Sequence, residues 1–269
     1  DSWTTISGDL TRNENRFELP IMGRKQSINN AWDVYAMSNY NTITMVDESP
    51  IQRDLIYVGT DDGLLHVTEN NGEAWTKMEA SKINGVPKRA YINDIKADLF
   101  DANVAYLAMD NHKEGDYRPF IYKTTDKGKT WKSIISNLPQ NTIIWRIVQD
   151  HVDPNLLFIG TEFGIYVTKD GGLSWTQLKG GLPTISFRDL KIQRRENDLV
   201  AASFGRSIYI LDDYTSLRSM NKESLSKEAD LYPLRDALWY IPRSNLGFDK
   251  GKGTQGDGHF MAENPPFGA

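Results

Sequence analysis

The chain has 269 residues and a formal net charge of −5, from 31 Lys and Arg against 36 Asp and Glu. Hydrophobic residues make up 39% and charged residues 25%, a globular composition that excludes a disordered or collagen-like chain. This balance gives no support to a nucleic-acid or anionic-lipid surface, and the absence of cysteine excludes disulfides, thiolate catalysis and zinc-thiolate sites.

Short strand signals recur along the chain, and helical periodicity is nearly absent. Four alternating apolar stretches predict the first strand of a repeated unit, at residues 41–48, 91–98, 142–150 and 186–193. Each is followed by a strand, a tight turn and a second strand, at residues 53–67, 102–112, 155–167 and 197–211. Short strands at this regular spacing, with turn residues between them, predict an all-β repeat array.

Three octets close the first three units and read Thr-x-Asp/Asn-x-Gly-x-x-Trp. They are TENNGEAW (68–75), TTDKGKTW (124–131) and TKDGGLSW (168–175). The third residue can accept hydrogen bonds within the turn, the glycine permits positive φ, and the tryptophan can pack between sheets. We therefore interpret the following residues as structural: Asn70, Gly72, Trp75, Asp126, Gly128, Trp131, Asp170, Gly172 and Trp175.

These octets resemble the Asp box, or bacterial neuraminidase repeat, of β-propellers. With their flanking segments, such as DPNLLFIGTEFGIYVTKDGGLSW, they look like the bacterial sortilin-like propeller proteins that often carry a glycosyl hydrolase label. The resemblance implies four-stranded blades, about four of them plus one strand. The fourth unit departs from the family at Ser203-Phe204, where Thr-His more often precedes Gly-Arg.

The two ends of the chain suggest a longer protein. Asp1-Ser2-Trp3 and residues 4–11 align with 173–183, so we expect them to supply the outer strand of a missing blade. Residues 1–215 are then the last part of a propeller, with its remaining blades upstream. Residues 216–269 are predicted to supply a last propeller strand (231–234) and a linker (247–258) that leads to a β-sandwich. A polar stretch, 221–228, is helix-capable. No signal peptide and no spanning segment occur in the sequence, so we expect no membrane insertion by this segment.

The resemblance places the turn between the second and third strands of each blade at one mouth of the channel. Asp61, Asp110 and Glu162 then occupy equivalent positions, with Arg206 in the fourth unit. Two carboxylates flanking a glycosidic bond are the minimum for its hydrolysis, so these three are the catalytic candidates. The alternative is that they cap their turns. The ligand-binding candidates are His112, Arg118, Glu162, Phe163 and Arg206.

Other kinds of site find little support in the sequence. A sialidase requires an arginine triad, a Tyr–Glu pair and a Phe-Arg-Ile-Pro motif near its start, and the closest string, Ser186-Phe187-Arg188-Asp189, lies in the last unit. No nucleotide-binding glycine motif occurs. A single His112 between Asp110 and Asp116 is typical of a solvated turn, so we predict neither a metal nor a cofactor. Arg146 and Arg188 lie on first strands; pairing with Asp189 or Asp150 is the preferred interpretation, and a carboxylate ligand is the alternative. For Trp145 we favour core packing.

Two classes of function fit these observations. The preferred one is a non-catalytic propeller that binds a protein or peptide, or scaffolds an assembly, in a secreted or envelope protein. The alternative is a xyloglucanase-like glycoside hydrolase with some carboxylates in other blades, or a carbohydrate-binding propeller without turnover. The resemblance implies an extracellular, periplasmic or outer-membrane-associated protein.

Overall fold

The structure is a computed structural model that describes residues 2–21, 24, 25, 27, 29, 40–233 and 236. The chain divides into two compact units, residues 1–218 and 219–269. The predicted linker at 247–258, the segment 262–269 and the last residue of the predicted strand 231–234 lie outside the described residues.

Antiparallel sheets make up the first unit. A small hairpin joins β1 (Pro20–Ile21) to β2 (Arg24–Lys25). The first sheet contains β3 (Ile43–Glu48), β4 (Ile56–Thr60), β5 (Leu64–Thr68) and β6 (Thr76–Glu79). The second contains β7 (Tyr91–Ala97), β8 (Ala105–Asn111), β9 (Asp116–Thr124) and β10 (Lys132–Ser133).

The third sheet contains β11 (Ile144–Gln149), β12 (Leu157–Thr161), β13 (Gly164–Thr168) and β14 (Thr176–Gln177). The fourth contains β15 (Phe187–Gln193), β16 (Asp198–Ser203) and β17 (Ile208–Leu211). Single-turn 3₁₀ helices occur at Arg16–Glu18, Ala80–Lys82 and His112–Glu114. Two short α-helices follow the sheets, α1 (Ser216–Ser219) and α2 (Lys222–Ser226).

Within each sheet, every strand pairs with its neighbour in sequence, and the first strands β3, β7, β11 and β15 lie side by side. This is the arrangement of consecutive β-propeller blades, so the predicted all-β propeller fold of about four blades is confirmed. The fourth sheet has three strands within the described part of the chain. Residues 231–233, predicted to supply its fourth strand, form no strand.

The core lies between successive sheets rather than on one side of each, so β4 and β12 are buried at every residue. Between the first and second sheets, Tyr57 and Leu65 pack against Ile92 and Ile95. The junctions between later sheets repeat this packing with other aliphatic and aromatic residues. Sheets buried on both faces require apolar residues at nearly every position of their central strands, and these strands have that composition.

The three octets form turns with the same hydrogen bonds. In each, the threonine hydroxyl accepts the N–H of the glycine, at 2.9 Å in the first turn, 2.9 Å in the second and 3.0 Å in the third. The Asn or Asp side chain accepts the N–H of the seventh residue, at 3.0, 2.8 and 2.9 Å. The octet glycines have φ of 89°, 83° and 99°, a region that favours glycine.

The octet tryptophans connect neighbouring sheets. Trp175 is 3% exposed and donates from Nε1 to the carbonyl of Ile134, 2.8 Å away in the segment after the second sheet. Trp75 donates in the same way to the carbonyl of Ile6, at 3.0 Å. Residues 4–11, which the alignment with 173–183 assigns to the outer strand of an upstream blade, have no strand partner among the described residues. Ile6 nevertheless occupies the position that Ile134 holds two sheets later.

Candidate functional site

A β-bulge interrupts the pairing of each first strand with its second strand at the same position. The register shifts between Ile43 and Met45, and again at the equivalent point in each later sheet. A bulge leaves one residue unpaired and re-aims its side chain. The four bulged residues are Thr44, Asn93, Trp145 and Arg188.

All four bulged residues line one cleft of about 430 Å³ at the inner strands. The other residues of its wall come from β7, from the end of β8 and from β11; they are Tyr91, Asp110, His112, Lys113 and Arg146. The cleft therefore draws on every sheet. Sequence reasoning missed Thr44, Asn93, Tyr91 and Lys113. The sequence did contain a signal for Thr44 and Asn93. In the first strand of every unit, a large apolar residue is followed directly by a residue whose type differs between units.

The bulged residues divide into two pairs. Thr44 donates its hydroxyl to the carbonyl of Ile92 at 2.8 Å, and Asn93 donates its amide to the carbonyl of Ile144 at 2.7 Å. These two side chains therefore fasten each sheet to the next. Trp145 and Arg188 instead contact each other, with the Arg188 guanidinium stacked 3.5 Å above the centre of the Trp145 ring.

Arg146 is the central cation of the network that joins the first strands. Its Nη1 donates to the carbonyl of Asn93 at 2.6 Å and lies 3.2 Å from the sulfur of Met45. Its Nε donates to Asp189 at 3.2 Å, which agrees with the pairing preferred from the sequence. Because these partners lie on the first, second and fourth sheets, Arg146 holds the inner strands together.

Asp94 lies beside this network and is fully buried. Its Oδ2 accepts the N–H of Ile147 at 2.8 Å, while its Oδ1 is 3.9 Å from both Lys96 Nζ and Arg146 Nη1. Burial raises the pKa of Asp94 to about 6, although the two cations and the Ile147 N–H oppose this effect. Ionised Asp94 therefore costs stability in the folded chain.

We expect the free energy of unfolding of Asp94→Asn to increase, relative to that of the unsubstituted chain, as the pH rises from 4 to 7.5. The folded-state pKa lies above the ordinary value of 3.8, so the stability from protonated Asp94 is present at low pH and lost as the pH passes about 6. The relative gain of the variant across this range should be about 3 kcal/mol. Urea unfolding at a series of pH values measures it, with exposed Asp212→Asn as control. A pH-independent difference would contradict the assignment.

The end of β8 brings two predicted residues together in the cleft. Asp110 is 2% exposed, and its Oδ1 is hydrogen-bonded to His112 Nδ1 and accepts the His112 backbone N–H at 3.1 Å. The ring of His112 meets Trp145 edge-on at 5.9 Å between centroids. Because Nδ1 faces Asp110, Nε2 is the ring nitrogen left for a ligand.

The other two catalytic candidates are held by the chain itself. Asp61 is 7% exposed and accepts the N–H of Thr42 at 2.8 Å. Burial raises the pKa of Asp61, and the Thr42 hydrogen bond opposes the change. Glu162 is half-buried, accepts the indole N–H of Trp145 at 3.0 Å and lies 3.8 Å from Arg188. Neither Asp61 nor Glu162 belongs to the cleft wall among the described residues.

Three of the predicted ligand-binding residues lie away from this wall in the described part of the structure. Arg118 is exposed, pairs with Asp116 at 2.7 Å and stacks on Phe120. Phe163 is 51% exposed in the turn after β12, and Arg206 is exposed in the turn before β17. The structure thus brings Asp110 and His112 together but separates them from Arg118, Phe163 and Arg206.

A second cleft of about 220 Å³ lies between the outer strands of the first two sheets, beside Trp131 and the Lys127–Glu69 ion pair. Its charged side chains are Glu69, Lys127 and Lys129, and the rest of its wall is mainly apolar strand residues and residues of the octets. Across residues 40–233, no group of three or more His, Asp or Glu side chains has a metal-site arrangement. No helix among the described residues is long and apolar enough to cross a membrane.

Comparison with known proteins identifies relatives of part of the chain. No model of a protein family matches it. A xyloglucanase, Xgh74A of Acetivibrio thermocellus, is 26% identical over 145 residues, which cover 48% of this chain and 16% of the relative. The chain thus spans about a sixth of the length of the curated relatives that it matches.

Solved structures share the fold at low sequence identity. The GH74 enzyme of Niastella koreensis has a TM-score of 0.52 and 14% identity, covering 65% of this chain and 29% of that one. The GH74 xyloglucanase of Xanthomonas campestris has a TM-score of 0.51 and 14% identity, covering 65% and 30%. At this level of identity, the similarities show the fold of the chain and not its function.

Proposed function

We propose that this chain is a non-catalytic binding module whose cleft receives a segment of a protein or peptide partner. The observation that carries the proposal is the composition of the cleft wall. Among the described residues that line it, Asp110 is the one carboxylate, and its side chain is 3% exposed and bonded to His112. Glu162, which contacts the wall, is hydrogen-bonded to Trp145. Glycoside hydrolysis by the common route needs two carboxyl groups facing the bond.

The remaining wall favours recognition. Tyr91 offers ring surface to the cleft, while Trp145, only 7% exposed as core packing predicts, supports Arg188 from below. Arg188, Lys113 and His112 offer polar groups. Few well-placed polar groups beside aromatic rings are typical of ligand sites. The Asp-box and sortilin-like assignment, and an extracellular or periplasmic location, belong to this proposal and rest on the motifs of the sequence.

A glycoside hydrolase is the second candidate, because the matched relative is a xyloglucanase and the pKa of buried Asp61 is raised, as a general acid requires. An assay of polysaccharide hydrolysis distinguishes the two candidates. We expect no reducing ends to be released from xyloglucan or other polysaccharides above a blank without protein. Release that disappears in Glu162→Gln or Asp61→Asn would establish the hydrolase instead.

Binding to an array of random decapeptides tests the proposal, with Trp145→Ala as the cleft variant. We expect peptides bound by the unsubstituted chain to lose about tenfold or more in affinity, because the ring on which Arg188 is stacked is removed. Trp145→Phe, which keeps an aromatic ring, should lose less. Trp3→Ala is the matched control, since Trp3 is fully exposed outside the cleft. Equal binding by Trp145→Ala and the control, or no binding by any chain, would reject the proposal.

A further inference from the structure

The cleft wall holds more positive than negative charge. Its permanent cations are Lys113, Arg146 and Arg188, against the one buried carboxylate of Asp110. Arg146 is already engaged by Asp189 and a carbonyl. Lys113 and Arg188 therefore decide what charge the cleft offers to a ligand.

Neither of these two cations has a close carboxylate partner. In the described residues Lys113 makes no ion pair within 4 Å, and the carboxylate nearest to Arg188 is Glu162 at 3.8 Å. An Arg–carboxylate hydrogen bond is about 2.7–2.9 Å long, so Glu162 does not satisfy the guanidinium. The Coulomb effect of Lys113 on the pKa of Asp61 is weaker than the effect of burying that carboxyl, so neither cation is held in a close, hydrogen-bonded ion pair.

Aromatic rings place both cations. Lys113 Nζ lies 5.1 Å from the centre of the Tyr91 ring, and Arg188 lies 3.5 Å above Trp145. A guanidinium stacked flat on a ring keeps its N–H groups at its edge. Nε of Arg188 donates to Ser186 at 3.0 Å, and no hydrogen bond from its two terminal nitrogens occurs among the described residues. The arginine is thus held in an orientation that suits a carboxylate.

The cleft also runs past the first strands of all four sheets, from Thr44 to Arg188. A peptide lying along it would present its side chains, rather than only its end, to the wall. We propose, on the basis of the proposed function, that the cleft binds an acidic peptide segment through an Asp or Glu side chain held between Arg188 and Lys113. His112 Nε2 then faces the same ligand.

The test compares two blocked hexapeptides, acetyl-Gly-Gly-Glu-Glu-Gly-Gly-amide and its Gln-Gln counterpart, by calorimetric titration of the whole chain. We expect the Glu peptide to bind about tenfold more tightly and to weaken at high salt. Lys113→Gln and Arg188→Gln should each weaken it about tenfold, and Arg188→Lys should keep part of the affinity. Arg53→Gln, which removes an exposed arginine outside the cleft, should bind as the unsubstituted chain does.

Other results separate the two proposals. Equal binding of the Glu and Gln peptides, or an equal loss in Arg53→Gln, would overturn the acidic-segment proposal while cleft binding stood. Binding of the Gln-Gln peptide only when its C-terminus is free would reject the side chain as the source of the carboxylate. If neither these peptides nor any array peptide binds, the proposed function fails as well. Thermal unfolding confirms that each variant is folded.

Discussion

Replacing Trp175 with alanine should lower the free energy of unfolding by about 3–5 kcal/mol. Trp175 is 3% exposed and packs in the cluster between the second and third sheets, beside Ile134 and Ile144. The substitution removes this packing and leaves the carbonyl of Ile134 without the indole N–H that it accepts at 2.8 Å. Urea unfolding followed by circular dichroism measures the loss.

Two variants separate packing from general effects of losing a tryptophan. Trp3→Ala, at a fully exposed position, should change stability by less than about 0.5 kcal/mol. Trp175→Phe keeps a ring and loses the hydrogen bond, so its cost should be intermediate. If Trp175→Ala cost no more than Trp3→Ala, the octet tryptophan would not hold the sheets together.

Asp150→Ala should cost about 3–5 kcal/mol, because it leaves buried polar partners unpaired. Asp150 is fully buried at the end of the third sheet's first strand. It accepts the hydroxyl of Tyr214 at 2.6 Å and two N–H groups of Arg218 at 2.8 and 2.7 Å. These partners follow the fourth sheet, so the carboxylate fastens that segment to the third sheet.

The pH dependence gives this prediction a second signature. Burial acts to raise the pKa of Asp150, but the hydrogen bonds from Arg218 and Tyr214 outweigh it and the pKa is lowered. The stabilisation that ionised Asp150 gives the folded chain is therefore present above the ordinary pKa of an aspartate. It is lost as the pH falls through the lowered pKa of Asp150. The cost of Asp150→Ala should shrink below about pH 4. Exposed Glu228→Ala is the control, and a cost that stayed constant at low pH would contradict the ion pair.

Much of the fold could be predicted because the repeat appears in the residues themselves. The octet pattern predicts a positive φ at Gly172 and packing of Trp175 between two sheets. The structure shows the positive φ of Gly172 and the bond from Trp175 to the segment after the second sheet. The alternating stretches become the first strands to within a few residues. The pairing of residues 4–11 and 231–233 could not be predicted, since a strand needs a neighbouring strand to pair with and the residues themselves do not specify that neighbour.

The site was harder to predict than the fold. Asp110 and His112 are neighbours in sequence, and local geometry brings them together. Asp61 and Glu162 were chosen by alignment of turns, and burial and hydrogen bonds to the chain decide where their side chains point. The bulge that turns Arg188 and the other bulged residues into the cleft depends on strand register, which a single strand's sequence does not specify.

The indole N–H signal of Trp145 in a nitrogen-15 correlation spectrum tests the central claim most directly. The chain has seven tryptophans, and the spectrum of Trp145→Phe identifies the signal of Trp145, whose N–H is bonded to Glu162 at 3.0 Å. During titration with the tightest array peptide, the account predicts that this signal shifts to saturation while that of exposed Trp3 stays in place. If the peptide binds and the Trp145 signal does not move, the cleft is not the binding site.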